Sequence, residues 1–457
     1  MQDGIKPPTL NLIGQTPLVR VVGFDTGPCE LYLKLESQNP GGSIKDRVAV
    51  SMIEAAERSG ALSAGHTIVE ATAGNTGIGL ALVAAIKGYR LLLVIPDKMS
   101  AEKIAHARAL GADILLTRSD VPPGHPAYYQ DMAARIAKER PRAYHINQFG
   151  NEANPLAHEL TTGPEIWEQA EHKLDAVVCG VGSGGTLTGL SRFFARVQPQ
   201  LELILADPVG SALGEFVRSG KLGVSGSYAV EGIGGSSIPA IADFSRARYA
   251  YNISDSESFR TARELLRITG IFGGPSSGTL LASALRYCRA QTEPKRVVSF
   301  VCDTGSKYLS KMYNDYWLLD GGYLERPATG NLRELITRRY EEGGVITVTA
   351  DDTLLTASQR MRMADISQVP VMEGGRCVGV LDESDLLFAT HDNPNKFQSS
   401  VSSAMTSRLE TVSAEASIDS AYEILNRGLV ALVIENDKFL GLITRSDLLS
   451  YLRRKLN

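Results

Sequence analysis

Asp175-Ala176-Val177-Val178-Cys179-Gly180-Val181-Gly182-Ser183-Gly184-Gly185-Thr186, continuing as LTGLSRFFARV to Val197, decides the fold. The run Ala176–Gly180 lacks polar alternation, which suits a parallel strand covered by helices on both faces. A glycine turn then leads into an amphipathic helix, and glycines without Cβ atoms let backbone N–H groups close around a phosphate at a helix start. The turn also satisfies GxGxxG, and Asp207 lies 22 residues beyond Gly185 at the end of LELILAD. That is the dinucleotide fingerprint, so an NAD-dependent oxidoreductase stands as a rival reading.

The same strand pattern recurs outward from this stretch, at Thr67–Glu70, Leu91–Ile95, Ile114–Thr117, Leu201–Asp207 and Val297–Cys302. Gly88 and Gly111 close the helical runs between strands. The fold class is therefore α/β. The chain has 457 residues, 43% apolar and 21% charged, which favours two or three ordinary globular domains. A net charge of −4 gives no positive field for nucleic acid. The start lacks a signal-peptide pattern and no later run reaches the length of a membrane span. The five cysteines, Cys29, Cys179, Cys288, Cys302 and Cys377, suggest neither a disulfide ladder nor a metal clasp. The expectation is a cytoplasmic protein without membrane association. The seven histidines show no paired ligand spacing, so no metal is expected.

After about residue 325 the pattern changes. A Gly/Pro-bearing, charged stretch at 326–345 reads as a linker. Beyond it VPVMEGGRCVGVLDESDLL matches VALVIENDKFLGLITRSDLL, with Asp385 and Asp447 62 residues apart. Each copy reads strand, helix, strand, strand, helix, and two half-sized units can bury their sheet faces together. The expected organisation is an α/β region at 1–325, the linker, and repeat copies at 346–395 and 396–457.

Three more segments sit at helix starts. Asn39-Pro40-Gly41-Gly42-Ser43-Ile44-Lys45 precedes RVAVSMIEAAERSG after Asp46; a buried Lys45 would be a Schiff-base lysine, because burial lowers lysine pKa and frees the neutral amine. Thr72-Ala73-Gly74-Asn75-Thr76 lies between a strand and an apolar helix. It reads as a turn capped by Asn75 or Thr76, and as an anion pocket. Gly273-Gly274-Pro275-Ser276-Ser277 reads as a turn with a serine N-cap, at another helix start of the same sheet.

Taken together, and with Ile13-Gly14-Gln15-Thr16-Pro17-Leu18 and NPLAHE, these motifs resemble the fold-type II pyridoxal-phosphate enzymes. Within them the chain looks most like the β-replacement group of cystathionine β-synthases and O-acetylserine sulfhydrylases, with a tryptophan-synthase-β-like catalytic domain of two open α/β subdomains. The later repeat resembles a tandem CBS-domain pair, the Bateman module. The resemblance implies a carbon–oxygen lyase that condenses L-serine with L-homocysteine to cystathionine through an aminoacrylate, and releases sulfide when L-cysteine replaces serine. A cysteine synthase using O-acetylserine is the alternative. By the same resemblance Lys45 would carry the cofactor, pyridoxal 5'-phosphate, and Asn75 would meet its ring hydroxyl. Gly182, Ser183, Gly184, Gly185 and Thr186 would hold the phosphate, and Ser276 would meet the pyridine nitrogen. Thr72, Ala73, Thr76 and Gln148 would receive the substrate carboxylate.

Departures from the family pattern bear on substrate choice. Ala73 stands where serine is usual, and Phe149 follows Gln148 as in the sulfhydrylases. Val230-Glu231-Gly232-Ile233-Gly234 and Asp315-Tyr316-Trp317 look closer to the synthases. The residues ahead of Ile13 contain neither Cys nor His, so no haem is expected. In the repeat, Thr444, Asp447 and Asp385 match positions that bind adenosine ligands in related modules, with Leu381 in the place of Thr444 in the first copy. S-adenosylmethionine, AMP or ATP, or no ligand, fits these residues equally. A homodimer or dimer of dimers is the expected assembly.

Overall fold

A computed structural model describes residues 8–72, 74–97, 99–122, 124–326 and 330–454. The chain forms two units, 1–313 and 314–457.

The first unit contains two sheets. The smaller is wholly parallel, in the order Asp113–Thr117, Arg90–Pro96, Thr67–Ala71, Ala143–His145. Its missing alternation is explained by burial on both faces. Ile68, Leu91, Leu93 and Ile95 pack against the helices Lys45–Arg58 and Asn75–Lys87, while Val69, Ala71, Leu92 and Val94 pack against Tyr129–Glu139. The larger sheet runs Leu18–Arg20, Glu30–Lys34, Arg296–Phe300, Ala176–Gly180, Glu202–Pro208, Ala247–Ile253, and only its first pair is antiparallel. The six strands expected from the sequence are all present. Leu18–Arg20, Glu30–Lys34, Ala143–His145 and Ala247–Ile253 are additional. Gly88 ends its helix in the left-handed region at φ 77°, and its N–H bonds the Ala84 carbonyl, a conformation that favours glycine.

Two capping expectations fail. The helix Asn75–Lys87 has Gly74 as its N-cap, and Pro275–Arg289 has Gly274, neither with a side-chain cap bond. Asn75, Thr76 and Ser276 lie inside the first turn, so their polar ends are free for other partners.

The second unit holds the two repeat copies. The second copy pairs Thr411–Ser413, Ala431–Glu435 and Lys438–Ile443 in one sheet, with helices Ile418–Asn426 and Arg445–Arg454. The first copy pairs Gln368–Glu373 with Arg376–Asp382, with helices Leu354–Ala364 and Glu383–Thr390. Its expected leading strand is reduced to a single bridge, Val348 to Val371. Among the described residues no helix is long and apolar enough to cross a membrane.

Candidate active site

Open α/β sheets gather ligands beyond the carboxyl ends of their parallel strands. In the first unit the chain leaves four such ends at Thr72, Ile146, Val181 and Val301. A fifth segment, Asn39–Ile44, is tied to them by a bridge from Ser43 to Asp303 and by Ile44 N–H donating to the Cys302 carbonyl at 2.9 Å.

Lys45 opens the helix Lys45–Arg58. Part of its surface reaches solvent, yet desolvation lowers its pKa below the ordinary lysine value, opposed by charges at Cys302 and Asp303. No described side chain hydrogen-bonds to or pairs with its amine. Under this helix Arg47 spans two buried glutamates. It meets Glu36 at 2.8 Å and Glu165 at 2.6 Å, and Lys34 reaches Glu165 at 2.8 Å. The cations hold Glu165 down at about 2 despite its burial.

The glycine turn sits at the start of the helix Gly185–Val197, with Gly184 as N-cap at φ 93° and no side-chain cap. No described acceptor takes the N–H groups of Ser183, Gly184, Gly185 or Thr186, so four amide donors converge at a positive helix end. The glycines are sterically required here. A Cβ on Gly182 would lie 2.4 Å from the Gly232 carbonyl oxygen, and one on Gly185 1.9 Å from Asn154 Oδ1.

Hydrogen bonds connect this turn to the other segments. Asn154 Nδ2 donates to Ser183 Oγ at 2.9 Å and to the Gln148 carbonyl at 2.8 Å. Gln148 Oε1 accepts from Thr76 Oγ1 at 2.7 Å, while its Nε2 donates to Glu70 and to the Ala71 carbonyl. Burial pushes Glu70 up to about 8, against the hydrogen bonds it accepts from Gln148. Thr72 Oγ1 accepts from Gly74 N–H. His158, fully buried, faces Thr186 Oγ1 at 3.3 Å and Thr162 Oγ1 at 3.0 Å. Burial, then the charges of Lys45 and Arg47, hold its pKa well below the usual value.

On the opposite side Asn75 Nδ2 donates to Asp303 Oδ2 at 2.7 Å and Asn75 Oδ1 accepts from Lys307 at 2.9 Å. Ser276 is buried at the start of Pro275–Arg289, whose N-cap Gly274 donates its N–H to the Asp303 carbonyl at 3.0 Å. Burial pushes the adjacent Cys302 thiol up to about 12. The structure thus gathers Lys45, Thr72, Asn75, Thr76, Gln148, Gly182, Ser183, Gly184, Gly185, Thr186 and Ser276 around these strand ends; Ala73 lies outside the described residues. Asn154, His158, Glu70, Asp303 and Lys307 were not singled out from the sequence. The signal available for the last two was their position just beyond a buried parallel strand.

Asp207 stands apart. Its Oδ2 accepts the N–H of Gly214 at 2.7 Å, at the start of the helix Leu213–Ser219. It serves that helix, which removes the acidic residue the dinucleotide reading needs.

In the second unit Thr444 and Asp447 bond each other reciprocally. Thr444 N–H donates to Asp447 Oδ2 at 2.7 Å, and Asp447 N–H to Thr444 Oγ1 at 3.3 Å. Asp382 and Asp385 form the same capping box in the first copy. The counterpart of Thr444 is therefore Asp382. Leu381, expected in that place, is fully buried in the core of its copy.

A desolvated, unpartnered lysine amine beside a nest of four amides fits a phosphorylated aldehyde cofactor. These features and the two sheets define a fold-type II pyridoxal-phosphate enzyme carrying a CBS-domain pair. The model of the family described as pyridoxal-phosphate dependent enzyme matches residues 9–303, and that of the CBS domain matches 333–392 and 401–454. The chain is 34% identical to a cystathionine β-synthase of Dictyostelium discoideum, over 97% of this chain and 92% of that one. Two solved structures superpose with TM-scores of 0.62. One is a hydrogen sulfide-producing enzyme of Fusobacterium nucleatum, 36% identical over 67% of this chain and 100% of that one. The other is an O-acetylserine dependent cystathionine β-synthase of Helicobacter pylori, 34% identical over 68% and 99%. The chain belongs to the cystathionine β-synthase family.

Proposed function

We propose that the first unit joins Cβ of L-serine to the sulfur of L-homocysteine, forming cystathionine. Pyridoxal phosphate, when bound through Lys45, supplies the electron-withdrawing ring that acidifies the Cα–H of the amino acid. The open amides of Ser183, Gly184, Gly185 and Thr186, with Gly182 clearing the approach, hold the phosphate. Asn75 donates to the ring hydroxyl. Ser276 meets the ring nitrogen with a neutral hydroxyl, which does not keep it protonated and so favours β-elimination over transamination. Thr72, Ala73, Thr76 and Gln148 take the substrate carboxylate.

The displaced Lys45 amine removes the Cα proton as general base, a role that desolvation favours by lowering its pKa. The Cβ–O bond breaks and the hydroxyl leaves as water, taking the proton that Lys45 removed from Cα. The thiol of homocysteine then adds to Cβ and gives its proton to Lys45, which delivers it to Cα. With L-cysteine as donor the same path releases sulfide. The observation that carries this reading is the unpartnered, desolvated Lys45 amine at the strand ends where the glycine turn opens its amides.

The test is the absorbance spectrum of the loaded protein, with L-serine and then L-homocysteine added. A yellow band that shifts with serine and reverts with homocysteine, together with cystathionine formation, is expected. Lys45→Ala retaining turnover would refute it. Phe149, next to Gln148, favours a second reading in which O-acetylserine is the donor; a protein that ignores serine and responds to O-acetylserine decides for it.

For the second unit we infer an adenosyl ligand, S-adenosylmethionine or AMP/ATP. What supports it is that Asp385 and Asp447 each use one carboxylate oxygen in a capping box, leaving the other for ribose hydroxyls. The five cysteines, all free, suit a reducing compartment such as the cytoplasm, and a homodimer or dimer of dimers is the assembly we infer.

A further inference from the structure

Lys307 is a buried cation of the first unit that the proposed chemistry leaves unused. It lies on the short turn Gly305–Tyr308 and is only 3% exposed. An ammonium carries three hydrogens and no acceptor, and here all three are placed. They go to the Gly41 carbonyl at 2.8 Å, the Gly42 carbonyl at 3.1 Å and Asn75 Oδ1 at 2.9 Å. One side chain thus ties together the loop leading to Lys45, the first turn of Asn75–Lys87 and the segment after Asp303. Asp303 and Asp46 face it and favour its charge; burial and Lys103 oppose them, leaving it at about 8.

The contact decides which way round the Asn75 amide sits. Its oxygen meets the Lys307 cation, so its nitrogen meets the Asp303 carboxylate, which is itself held by Tyr308 OH at 2.6 Å. A flipped amide would set NH2 against ammonium and oxygen against carboxylate, two repulsive contacts. In the observed orientation one Nδ2 hydrogen bonds Asp303 and the other has no described acceptor.

We propose that Lys307 is a positioning residue. With Asp303 it locks the Asn75 amide in the orientation that keeps an N–H available for the cofactor's ring hydroxyl. The inference rests on the reading of Asn75 given under Proposed function.

The test is a double-mutant cycle of Lys307→Met and Asn75→Ala, read by the cofactor dissociation constant and by the ratio of near-ultraviolet to visible absorbance bands of the holoenzyme. That ratio reports where the ring-hydroxyl proton resides, which a purely structural role would not move. Lys307→Met is expected to loosen the cofactor about tenfold, the worth of one charge-assisted hydrogen bond, and to shift the band ratio. In the Asn75→Ala background it should add less than about twofold. Unchanged spectrum and affinity in Lys307→Met, with Asn75→Ala affected, would overturn the inference, as would independent, additive effects. An unaffected Asn75→Ala would instead overturn the Asn75 reading, and this inference with it. Should Lys307→Met not fold, Lys307→Gln carries the same cycle with the same two readings.

Discussion

Gly185→Ala probes the glycine turn most sharply, because the obstacle is one buried side chain. An added Cβ would stand 1.9 Å from Asn154 Oδ1, where ordinary contact begins at 3.4 Å, so Asn154 must retreat by about 1.5 Å. It cannot do so freely. Asn154 is 1% exposed, and its Nδ2 is committed to Ser183 Oγ and the Gln148 carbonyl. Losing those two bonds costs about 2 kcal/mol, overpacking adds about 1 kcal/mol, and the better helix propensity of alanine returns about 1 kcal/mol. The net expectation is about 2 kcal/mol of destabilisation of the first unit. Urea unfolding read by Trp167 measures it, since that ring packs on Phe194 of the same helix at 6.2 Å between centroids. A Trp317→Phe background removes the other tryptophan. Because Ser183 moves with Asn154, cofactor affinity should fall about tenfold as well. Gly226→Ala, where the nearest atom is 3.6 Å away, is the control. A Gly185→Ala protein as stable as that control, with unaltered cofactor affinity, would refute the steric reasoning.

Two further outcomes follow from the buried charges. Glu70 is raised from 4.5 to about 8, so between those values the unfolded chain has lost a proton that the native state keeps. Its contribution to stability is full below about pH 4.5 and lost as pH rises through 8. Glu70→Gln should flatten the fall in urea midpoint between pH 5 and 9, leaving the contribution of Asp46, which ends at lower pH because it is raised only to about 7; an unchanged profile would contradict the assignment. Arg47→Met takes from Glu36 its buried cation and leaves Glu165 paired with Lys34 alone, and should destabilise the first unit by about 3 kcal/mol, measured by the same unfolding assay. Adding Glu36→Gln should recover part of that loss.

The fold was legible where burial erased alternation. Leu91–Ile95 and Ala176–Gly180 are apolar throughout because helices cover both faces, and the sequence carries that directly. Ala247–Ile253 was not recognised because it is an edge strand, mostly half-buried, whose tyrosines and asparagine break an apolar run. The repeat was legible through matched side chains, yet Leu381 was misaligned by one residue with Thr444. Only the capping boxes, with their reciprocal bonds, restore Asp382 as the counterpart. At the candidate site the glycine turns were visible because main-chain donors need glycine. The partners that orient Asn75 lie 228 and 232 positions away and that of Ser183 lies 29 away, each a single polar residue within an otherwise ordinary helix or turn, and spacing alone does not bring them together.

The hydrogen bonds of Gln148 set a requirement for the carboxylate pocket proposed above. Both Nε2 hydrogens are already directed, to Glu70 Oε1 at 3.3 Å and the Ala71 carbonyl at 3.2 Å, while the bond it accepts from Thr76 is 2.7 Å. The donated bonds are long and the accepted one is short, so the donor end is the weakly held end. In that proposal an arriving substrate carboxylate would compete with Glu70 for the same Nε2 hydrogens, and would win most easily when Glu70 is protonated and accepts weakly. The raised pKa of Glu70 is thus consistent with a Gln148 that can release toward substrate. Removing that acid in Glu70→Gln should therefore alter KM for the amino-acid donor more than it alters kcat, because the substitution acts on the group proposed to receive the carboxylate and leaves Lys45 untouched.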